Sequence, residues 1–424
     1  MLLQSEIRNN PEEIIERMKV RNIDVTETVE KIIAIDKRKR EVQTRFENNQ
    51  HAIKESSKII GELFKSGKQA EANELREKTG SQKEDNKLLH EEISRLEEEL
   101  LEFMYQIPNL PHESVPAGHD DSDNVEIVVW GEKPTLEIAE PHWEIAKNLN
   151  LIDWELGVKI TGAGFPVYRS QGARLQRGLV QFFLDRAVEN GYEEINPPLL
   201  INEASGYGTG QLPDKDGQMY HTERDHLYLL PTAEVPVTNI YRDTIVKEAD
   251  LPKKNTAFSP CFRREAGSYG KDVRGLNRLH QFEKVEILQV AHPNESYKIL
   301  DTMVEHVKGL LESLELHYRV VRLCGGDLGF AAAITYDFEV WSAAQEMWLE
   351  VSSVSNFEAF QANRMKCRYK DAEGKNQLVH TLNGSAMALP RIMAAVLENN
   401  QTKDGINIPK ALIPFVGFDK IKKK

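Results

Sequence analysis

Six basic side chains are concentrated in one short segment of an otherwise acidic chain. The segment CFRREAGSYGKDVRGLNRLHQFEKVE spans residues 261–286 and contains a Gly-Ser-Tyr-Gly turn. Its basic residues are Arg263, Arg264, Lys271, Arg274, Arg278 and Lys284. The planar donors of arginine match phosphate oxygens, and backbone amides of a glycine-bearing turn can approach the same ligand. The strand-like runs FRREA and FEKVEIL would bring the charges together. The segment therefore indicates a polyphosphate site, and the alternative is a surface hairpin with solvated charges.

The overall composition limits the classes of partner. Among 424 residues, 54 Lys and Arg against 67 Asp and Glu give a formal charge of -13, which disfavours nonspecific nucleic-acid binding. The length predicts two or three domains. No membrane-spanning apolar run or N-terminal targeting pattern occurs, so we expect a cytoplasmic protein without a membrane partner. Cys261, Cys324 and Cys367 are widely spaced, which argues against a disulfide framework or a cysteine zinc site.

A long helical hairpin is predicted near the N-terminus. No proline occurs from Thr28 to Phe103, and seam positions recur with alternating gaps of four and three residues. They are Val42, Phe46, Asn49, Ile53, Ser56, Ile60 and Leu63, and then Leu89, Ile93, Leu96, Leu100 and Phe103. The segment KSGK at 65–68 suits a chain reversal. Two helices of roughly 35 residues would form an antiparallel coiled coil about 50 Å long, over about residues 28–104.

The hairpin changes in polarity along its length and between its helices. The second seam, extended backwards, reaches polar positions before apolar ones, so the middle is expected to pack weakly. These positions are Asn86, Gln82 and Thr79, followed by Leu75 and Ala72. Residues 31–65 hold nine Lys and Arg against five Asp and Glu, whereas residues 68–104 hold six against eleven. The basic edge of the first helix could follow a phosphate backbone, and a dimerisation or spacer role is the alternative.

The composition changes again after the hairpin. Proline and Asx residues between about 105 and 125 indicate a linker, and a new domain begins near Glu126. An alternating segment at 126–130, an amphipathic helix over about 173–190 and several short strand-like runs predict an α+β domain with much antiparallel sheet. Neither GxGxxG nor GxxxxGK followed by Ser or Thr is present, so a Rossmann turn or a P-loop is excluded.

Three segments, in this order, resemble the motifs of class II aminoacyl-tRNA synthetases. They are the helix ending in GYEEINPP at 191–198, FRRE at 262–265, and NGS at 383–385 followed by Arg391. Within that class the chain closely resembles the seryl-tRNA synthetases of bacterial type. This resemblance rests on GTGQLP at 208–213, PTAEVP at 231–236, RGLNRLHQFEKVE at 274–286 and the hairpin, and it covers essentially the whole chain.

The resemblance implies both the fold and the reaction. Residues 108–424 would form a class II core, with a mixed, mostly antiparallel sheet flanked by helices, and residues 1–107 a tRNA-binding domain. The enzyme would use ATP and Mg²⁺ to convert L-serine into seryl-adenylate. It would then transfer the seryl group to the 3′ end of serine tRNA, and of selenocysteine tRNA where one exists. Neither step needs a protein nucleophile, so positioning and charge neutralisation suffice.

The resemblance also assigns residues to the ATP site. Arg263 would bind the α-phosphate and the serine carboxylate, and Glu265 would contact the adenine edge. Phe282 and Arg391 would enclose the adenine ring. Oxygen ligands suit Mg²⁺, which Glu350 and Ser353 would hold. Catalysis is assigned to Arg263, Glu350 and Arg391, and the rest of the ATP site to neighbours of these residues, which are Arg264, Val351 and Ser352. Considered singly, Phe282 could be a core residue, Glu350 could face solvent and Arg391 could lie on a helix surface.

Serine must be distinguished from alanine, which lacks the hydroxyl, and from threonine, which adds a methyl. A buried acceptor that alanine leaves unpaired can reject alanine, and a close wall can exclude threonine. The resemblance assigns this pocket to Thr232, Ala233, Glu234, Glu286 and Ser385. Two carboxylates also suit the serine ammonium group, and Lys284 could balance their charge. The segment 232–234 also reads as a helix start, and both interpretations are compatible.

The resemblance gives the hairpin a role in binding RNA. The family uses this element to bind the long variable arm of serine tRNA by its shape. Basic residues of the first helix would contact backbone phosphates, and the candidates are Arg38, Arg40, Arg45, Lys54 and Lys58. The hairpin of one subunit serves the active site of the other in this family, which implies a homodimer with the motif 1 helix and Pro197 at its interface. The chain resembles the members that use no catalytic zinc.

Four positions depart from the common pattern of the family. Ala386 and Pro390 replace glycines of motif 3, so the backbone near Arg391 is expected to be stiffer. Phe357 and Asn363 stand where cysteine and arginine are frequent, and no catalytic role is predicted for them. Two other functions remain as alternatives: a class II ligase that loads an amino acid on a carrier protein, and an inactive coiled-coil paralogue that binds RNA. The hairpin argues against the first alternative, and the retained active-site residues argue against the second.

Overall fold

The structure, a computed structural model, describes residues 1–265 and 274–423. Lys271 and the Gly-Ser-Tyr-Gly turn of the predicted polyphosphate site lie outside the described residues. The chain forms two compact units. One comprises residues 2–19 and 23–108, and the other comprises residue 1, residues 20–22 and the chain from residue 109 onwards. Within the described part of the chain, no helix is long and apolar enough to cross a membrane.

The first unit is built on a pair of long helices. Two short helices, α1 (Gln4–Asn9) and α2 (Pro11–Met18), precede α3 (Thr26–Lys65) and α4 (Gln69–Met104). Between the long helices, Gly67 reverses the chain with a φ of 78°, a conformation that glycine adopts without strain. The two helices contact each other along their length, which confirms the predicted coiled-coil hairpin.

The seam between α3 and α4 is packed at one end and open in the middle. Val42, Leu89, Ile93 and Leu96 form a buried cluster at predicted seam positions. Where the seam becomes polar there is an open groove of about 670 Å³. Its lining residues are Phe46, Gln50, Ile53, Lys54, Lys83, Asn86, Lys87 and His90. Of the predicted polar seam positions, Asn86 lines this groove, whereas Thr79 is buried, so the packing is interrupted around Asn86 only.

The second unit contains the remaining helices and the strands. The helices are α5 (His142–Asn148), α6 (Trp154–Ile160), α7 (Ser170–Glu189), α8 (Glu203–Thr209), α9 (Glu234–Thr238), α10 (Ser296–Ser313), α11 (Phe360–Met365), α12 (Leu389–Asn399) and α13 (Ile413–Val416). The strands are β1 (Val125–Trp130), β2 (Ile152–Asp153), β3 (Val167–Tyr168), β4 (Glu193–Glu194), β5 (Leu200–Ile201), β6 (His221–Thr222), β7 (Leu227–Leu229), β8 (Ile245–Lys247), β9 (Lys253–Phe262), β10 (Gln281–Ala291), β11 (Tyr318–Arg322), β12 (Ile334–Ser342), β13 (Met347–Asn356), β14 (Arg368–Lys370), β15 (Asn376–Leu378), β16 (His380–Ala388), β17 (Gln401–Thr402), β18 (Gly405–Asn407) and β19 (Lys420–Lys422).

An eight-stranded sheet dominates this unit. Its strand order is β1-β11-β12-β13-β16-β10-β9-β4, and neighbouring strands are antiparallel except for the parallel pair β4 and β9. Helices α7, α10 and α12 contact the sheet, and Phe182 and Phe183 of α7 are fully buried. The predicted α+β fold with a mostly antiparallel sheet is confirmed. The predicted strand FRREA is partly wrong, because β9 ends at Phe262 and Arg263 follows it.

Candidate active site

A β-bulge between β12 and β13 determines which side chains share a face of the sheet. Residues 338 and 339 of β12 pair with Ser352 and Glu350, which leaves Val351 as the extra residue. Residues three apart in a regular strand point to opposite faces, whereas one extra residue returns them to the same face. Glu350 and Ser353 therefore project on the same side, which a ligand shared by both requires.

Two carboxylates of β12 that sequence reasoning missed lie opposite these side chains. Asp337 pairs with Ser353 and accepts a hydrogen bond from it, and Glu339 pairs with Glu350. Burial, followed by the nearby Glu350 charge, raises the pKa of Asp337 well above its ordinary value. Asp337 Oδ1 has no hydrogen-bond partner among the described residues. The alternating segment TYDFE contains both residues, but only the strand register connects it with Glu350.

Arg391 lies in the first turn of α12 and is bonded to Glu350. Its Nη1 donates to the Glu350 carbonyl oxygen at 2.7 Å and lies 3.3 Å from Glu350 Oε2, while its Nε donates to the Asn277 carbonyl oxygen at 3.1 Å. Glu350, the predicted magnesium ligand, and Arg391, the predicted adenine contact, are thus bonded to each other. Because the Glu350 side chain is nearly half exposed, this ion pair contributes little on its own and can be exchanged for contacts to a ligand.

Arg263 lies directly beyond β9, above an aromatic ring. Its guanidinium carbon is 5.2 Å from the centre of the Phe282 ring, and its Nε donates to the Pro231 carbonyl oxygen at 3.3 Å. The cation over Phe282 in the structure is therefore Arg263. The predicted enclosure of adenine by Phe282 and Arg391 stays a prediction.

The two residues after Arg263 lie near further side chains of the basic segment. The Arg264 guanidinium carbon is 5.9 Å from the centre of the Tyr220 ring. Glu265 Oε2 accepts a hydrogen bond from Arg278 Nη1 at 3.1 Å, and Glu265 has a positive φ of 48°. Side chains in the described part of the basic segment therefore contact each other and neighbouring residues, so these charges do not interact with water alone.

The predicted serine residues form one buried cluster. Thr232 Oγ1 donates to Glu286 Oε2 at 3.1 Å and accepts the Glu234 backbone N–H at 3.3 Å. Lys284 Nζ lies 2.6 Å from the same Glu286 oxygen, and all four residues are buried. The second oxygen, Glu286 Oε1, has no partner among the described residues. Thr232 therefore accepts a backbone N–H at the start of α9 and also bonds to Glu286 in the predicted serine pocket.

Glu234 is a second buried carboxylate of this cluster. Its Oε1 accepts a hydrogen bond from Gln361 Nε2 at 2.7 Å, and Gln361 Oε1 in turn accepts from Thr381 Oγ1 at 2.7 Å. Burial and, secondly, the Glu286 charge raise the pKa of Glu234 to about 7. Gln361, which sequence reasoning did not select, thus fixes the orientation of the carboxylate.

The remaining predicted site residues are buried in the sheet or beside it. Ala233, Val351 and Ser352 are almost fully buried, and Ser352 Oγ donates to the Ser385 carbonyl oxygen. Contacts from Val351 and Ser352 to a ligand would therefore involve backbone atoms. Ser385 pairs with Glu286 across β10 and β16, which brings the two predicted serine contacts side by side.

The structure shows how motif 3 accommodates its unusual residues. Ala386 is the extra residue of a bulge between β10 and β16, and its φ is not positive, so a side chain is tolerated there. Pro390 lies in the first turn of α12, where a missing backbone N–H has no cost. Phe357 is buried and joins the core, which agrees with its lack of a predicted catalytic role.

The candidate RNA-binding residues of α3 are exposed, and several form ion pairs. Arg38 Nη2 lies 2.7 Å from Glu92 of α4, Arg40 Nε lies 3.1 Å from the buried Asp36, and Lys58 Nζ lies 2.9 Å from Glu55. The other two candidates, Arg45 and Lys54, are also exposed, and Lys54 lines the groove in the middle of the hairpin.

The donor atoms present suit a hard cation better than a soft one. In residues 1–265 and 274–423, no group of three or more His, Cys, Asp or Glu side chains is placed to hold a metal ion. Glu350 and Ser353 offer oxygen atoms on one face, and Asp337 Oδ1 beside them is buried without a described partner. Two carboxylates and a hydroxyl fit the preference of Mg²⁺ for oxygen ligands, with the remaining positions left to phosphate and water.

The fold and the order of the motifs are those of a class II aminoacyl-tRNA synthetase. Residues 219–400 match the class II core domain of the synthetases for Gly, His, Pro, Ser and Thr, and residues 1–111 match the seryl-tRNA synthetase N-terminal domain. The serine--tRNA ligase of Salinibacter ruber is 50% identical over 99% of both chains, and that of Akkermansia muciniphila is 48% identical over 98% of both. The chain therefore belongs to the seryl-tRNA synthetase family.

A solved structure supports the same assignment. Seryl-tRNA synthetase from Pyrococcus horikoshii, complexed with ATP, superposes with a TM-score of 0.93 at 32% identity and covers 100% of both chains. The chain is a ligase that attaches serine to tRNA with ATP as a substrate. A carrier-protein ligase does not account for the match of residues 1–111 to the seryl-tRNA synthetase N-terminal domain, and the relatives named as serine--tRNA ligases favour an active enzyme over an inactive paralogue.

Proposed function

We propose that seryl-adenylate forms between the pocket of Thr232, Glu234 and Glu286 and the charged face that carries Arg263, Glu350 and Arg391. The observation on which this proposal depends is the buried Glu286 Oε1 beside Thr232 and Lys284, which has no hydrogen-bond partner within residues 1–265 and 274–423. An unpaired buried acceptor costs stability unless a ligand satisfies it. A small ligand with several hydrogen-bond donors, such as serine, removes that cost.

Serine recognition is assigned to the two buried carboxylates. Glu234 and Glu286 would neutralise the ammonium group of serine. Residues of this cluster and Ser385 would form hydrogen bonds with the serine hydroxyl, as acceptors or as donors. Alanine would leave that partner unsatisfied, which can reduce its use by several powers of ten. A close wall would exclude the additional methyl of threonine, and the buried Ala233 is the residue that the resemblance assigns to this part of the pocket.

The adenylation step needs charge neutralisation and alignment, without a covalent enzyme intermediate. Arg263 would bind the serine carboxylate and the α-phosphate, so that the carboxylate oxygen attacks phosphorus as pyrophosphate leaves. Phe282, Arg391 and Glu265 would hold the adenine, with backbone contacts from Val351 and Ser352 and a further cation from Arg264. Glu350 and Ser353 would hold Mg²⁺, which when bound lowers the negative charge of the phosphates.

The hairpin unit is assigned to the second substrate. We propose that residues 1–107 bind serine tRNA, and selenocysteine tRNA where one exists, through the basic edge of α3, while residues 108–424 form the catalytic domain. Arg45 and Lys54 are exposed there, and exposed lysine and arginine side chains are the usual contacts to backbone phosphates. A cytoplasmic location follows from this function.

A homodimer is the proposed working form, with the tRNA bound across subunits. Large apolar side chains at and after motif 1 are exposed, including Val188, Leu199 and Leu200, and the edge strand β1 exposes Ile127 and Val129. Contact with a second copy would remove these apolar side chains from water. Pro197 is buried within the chain itself, so its exposed neighbours would form the contact.

The decisive experiment is ATP–pyrophosphate exchange with serine, threonine, alanine and glycine, followed by charging of total tRNA. We expect exchange with serine alone and a seryl-tRNA product. Binding of serine without formation of the mixed anhydride would contradict the proposed site. Sedimentation of the active enzyme tests the dimer separately, because an active monomer would exclude transfer across subunits.

A further inference from the structure

A buried histidine and a buried glutamate join two elements behind the proposed ATP site. His142 begins α5 and Glu398 lies in the last turn of α12, and both are fully buried. Glu398 Oε1 is 2.7 Å from His142 Nδ1 and accepts the His142 backbone N–H at 2.9 Å and Gln345 Nε2 at 3.0 Å, while Oε2 accepts from Ser342 Oγ. Both oxygens of the carboxylate therefore have hydrogen-bond donors.

The other ring nitrogen of His142 defines the tautomer. The Leu276 backbone N–H donates to His142 Nε2 at 2.8 Å, so Nε2 is an acceptor and the proton lies on Nδ1, facing Glu398. The imidazole is thus neutral and its orientation is fixed from both sides. Glu398 thus accepts the hydrogen bond from Nδ1 of the ring, and Nε2 of the ring accepts the backbone N–H of Leu276 in the basic segment.

That backbone contact leads directly to Arg391. Asn277 follows Leu276, and its carbonyl oxygen accepts from Arg391 Nε at 3.1 Å, while its Nδ2 donates to Gln345 Oε1 at 2.9 Å. Arg391 and Glu398 are seven residues apart on α12 and so lie on nearly the same side of the helix. The basic segment is therefore attached to both ends of α12. Asn277 bonds to Arg391 in the first turn of the helix, and Leu276 is connected through His142 to Glu398 in the last turn.

The backbone of Gly275, in the basic segment, packs closely against His142. An added Cβ at Gly275 would lie 2.2 Å from His142 Nε2, and Gly275 has a φ of 69°. The preceding Arg274 guanidinium carbon lies 4.9 Å from the centre of the Trp143 ring, next to His142 in the chain. Residues 274–276 thus follow the surface of α5 closely, and only glycine fits at position 275 without a shift.

We propose that His142, oriented by Glu398, is a positioning residue for ATP: it holds the Leu276–Asn277 backbone so that the Asn277 carbonyl places the Arg391 guanidinium. The proposal rests on the proposed role of Arg391 at the adenine. His142 does not touch the reacting atoms, so its removal acts on nucleotide binding through Arg391.

Two substitutions of His142 separate its two hydrogen bonds. The Asn amide in His142→Asn can donate to Glu398 from the Nδ1 position but does not reach Leu276, whereas the Gln oxygen in His142→Gln can reach the Nε2 position and accept its N–H. In ATP–pyrophosphate exchange we expect His142→Asn to raise the KM for ATP about tenfold, the size expected for one unsatisfied buried N–H. The KM for serine should not change, and His142→Gln should recover part of the loss.

A matched control distinguishes positioning from general destabilisation. His306 is a partly buried histidine on α10, and His306→Gln should lower thermal stability without changing the KM for ATP. Gly275→Ala provides a second route to the same defect if His142→Asn folds poorly. An unchanged KM for ATP in both His142→Asn and Gly275→Ala would overturn the proposal.

A double-mutant cycle tests whether the effect passes through Arg391. In the Arg391→Ala background, His142→Asn should add little to the KM for ATP, because its target has already been removed. Additive effects would overturn the proposal while leaving the role of Arg391 intact. A normal KM for ATP in Arg391→Ala alone would instead contradict the proposed function of Arg391 and this inference with it.

Discussion

The hairpin and the catalytic unit use the same kind of ion pair in opposite environments. On the hairpin, Arg38 lies 2.7 Å from Glu92, and both side chains are at least partly exposed. In the catalytic unit, Lys284 lies 2.6 Å from Glu286, and both side chains are almost fully buried. An exposed pair contributes about 0–1 kcal/mol, whereas breaking a buried pair costs roughly 3–5 kcal/mol. Loss of one exposed charge of the hairpin should therefore have a small effect, whereas loss of one buried charge of the catalytic unit should have a large effect.

Removing the hairpin gives the sharpest test of this division. Deletion of residues 35–98 should abolish tRNA charging, because it removes the proposed RNA-binding surface, and should spare serine-dependent pyrophosphate exchange. Exchange and charging are measured on the same preparation. Equal loss of both activities would contradict the division between the two units.

One substitution in the catalytic unit should have nearly as large an effect. Arg263→Ala removes the cation proposed for the α-phosphate and should lower the rate of pyrophosphate exchange about 10²–10³-fold. Arg263→Lys should recover only part of the rate, because lysine lacks the paired planar donors. Lys298→Ala, on the exposed side of α10, is the control and should leave exchange unchanged. A normal exchange rate in Arg263→Ala would remove Arg263 from the mechanism.

The buried carboxylate Glu234 predicts a pH dependence of the stability of the catalytic unit. Its pKa is about 7 in the folded chain against an ordinary 4.5, so the folded state binds the proton more tightly. The free energy of unfolding should therefore fall by about 3 kcal/mol as the pH rises from about 4.5 to 7, and this contribution should then stay level. Denaturant unfolding of the enzyme and of Glu234→Gln, which lacks this titration, measures the difference.

Serine binding should also depend on the ionisation of Glu234, but it should become stronger as the pH rises. The ammonium group of serine requires the ionised carboxylate, so the KM for serine should fall as the pH rises through about 7. Glu234→Gln should weaken serine binding and remove this dependence, while the exposed Glu155→Gln should keep it. A pH profile that Glu234→Gln leaves unchanged would show that another group controls serine binding.

Single charges of the hairpin should have the smallest effects. Arg45→Ala should weaken tRNA binding severalfold and reduce the slope of log affinity against log salt by about 1, the value for one phosphate contact. Pyrophosphate exchange should be unaffected. Glu47→Ala, a neighbouring exposed carboxylate, is the matched control and should not reduce the slope. A loss of binding as large as that of the deletion would contradict the distributed character of this surface.

Local patterns were sufficient for much of the architecture. The heptad spacing from Val42 to Leu63 and from Leu89 to Phe103 predicts the hairpin because each seam residue is defined by its neighbours three and four positions away. The three motifs predict the class II core and most of the residues of the candidate site, and the cluster of Thr232, Glu234 and Glu286 is observed where expected. The exact end of β9 was misplaced, since strand ends depend on pairing with β10.

Contacts between separate strands and helices could not be predicted in the same way. The bulge at Val351 puts Glu350 and Ser353 on one face and brings Asp337 opposite, although 13 positions separate Asp337 from Glu350 in the chain. The contact of Gln361 with Glu234 spans 127 positions. No local periodicity records such pairs, because they depend on strand register and on the packing of separate elements.

The amino-acid sequence alone therefore determined the class of fold, the hairpin and the residue types at the site, because these depend on spacing within short segments. Tertiary structure alone decided the β-bulges, the raised pKa of Glu234 and the buried bond between His142 and Glu398, since each depends on how separate strands and helices pair and pack.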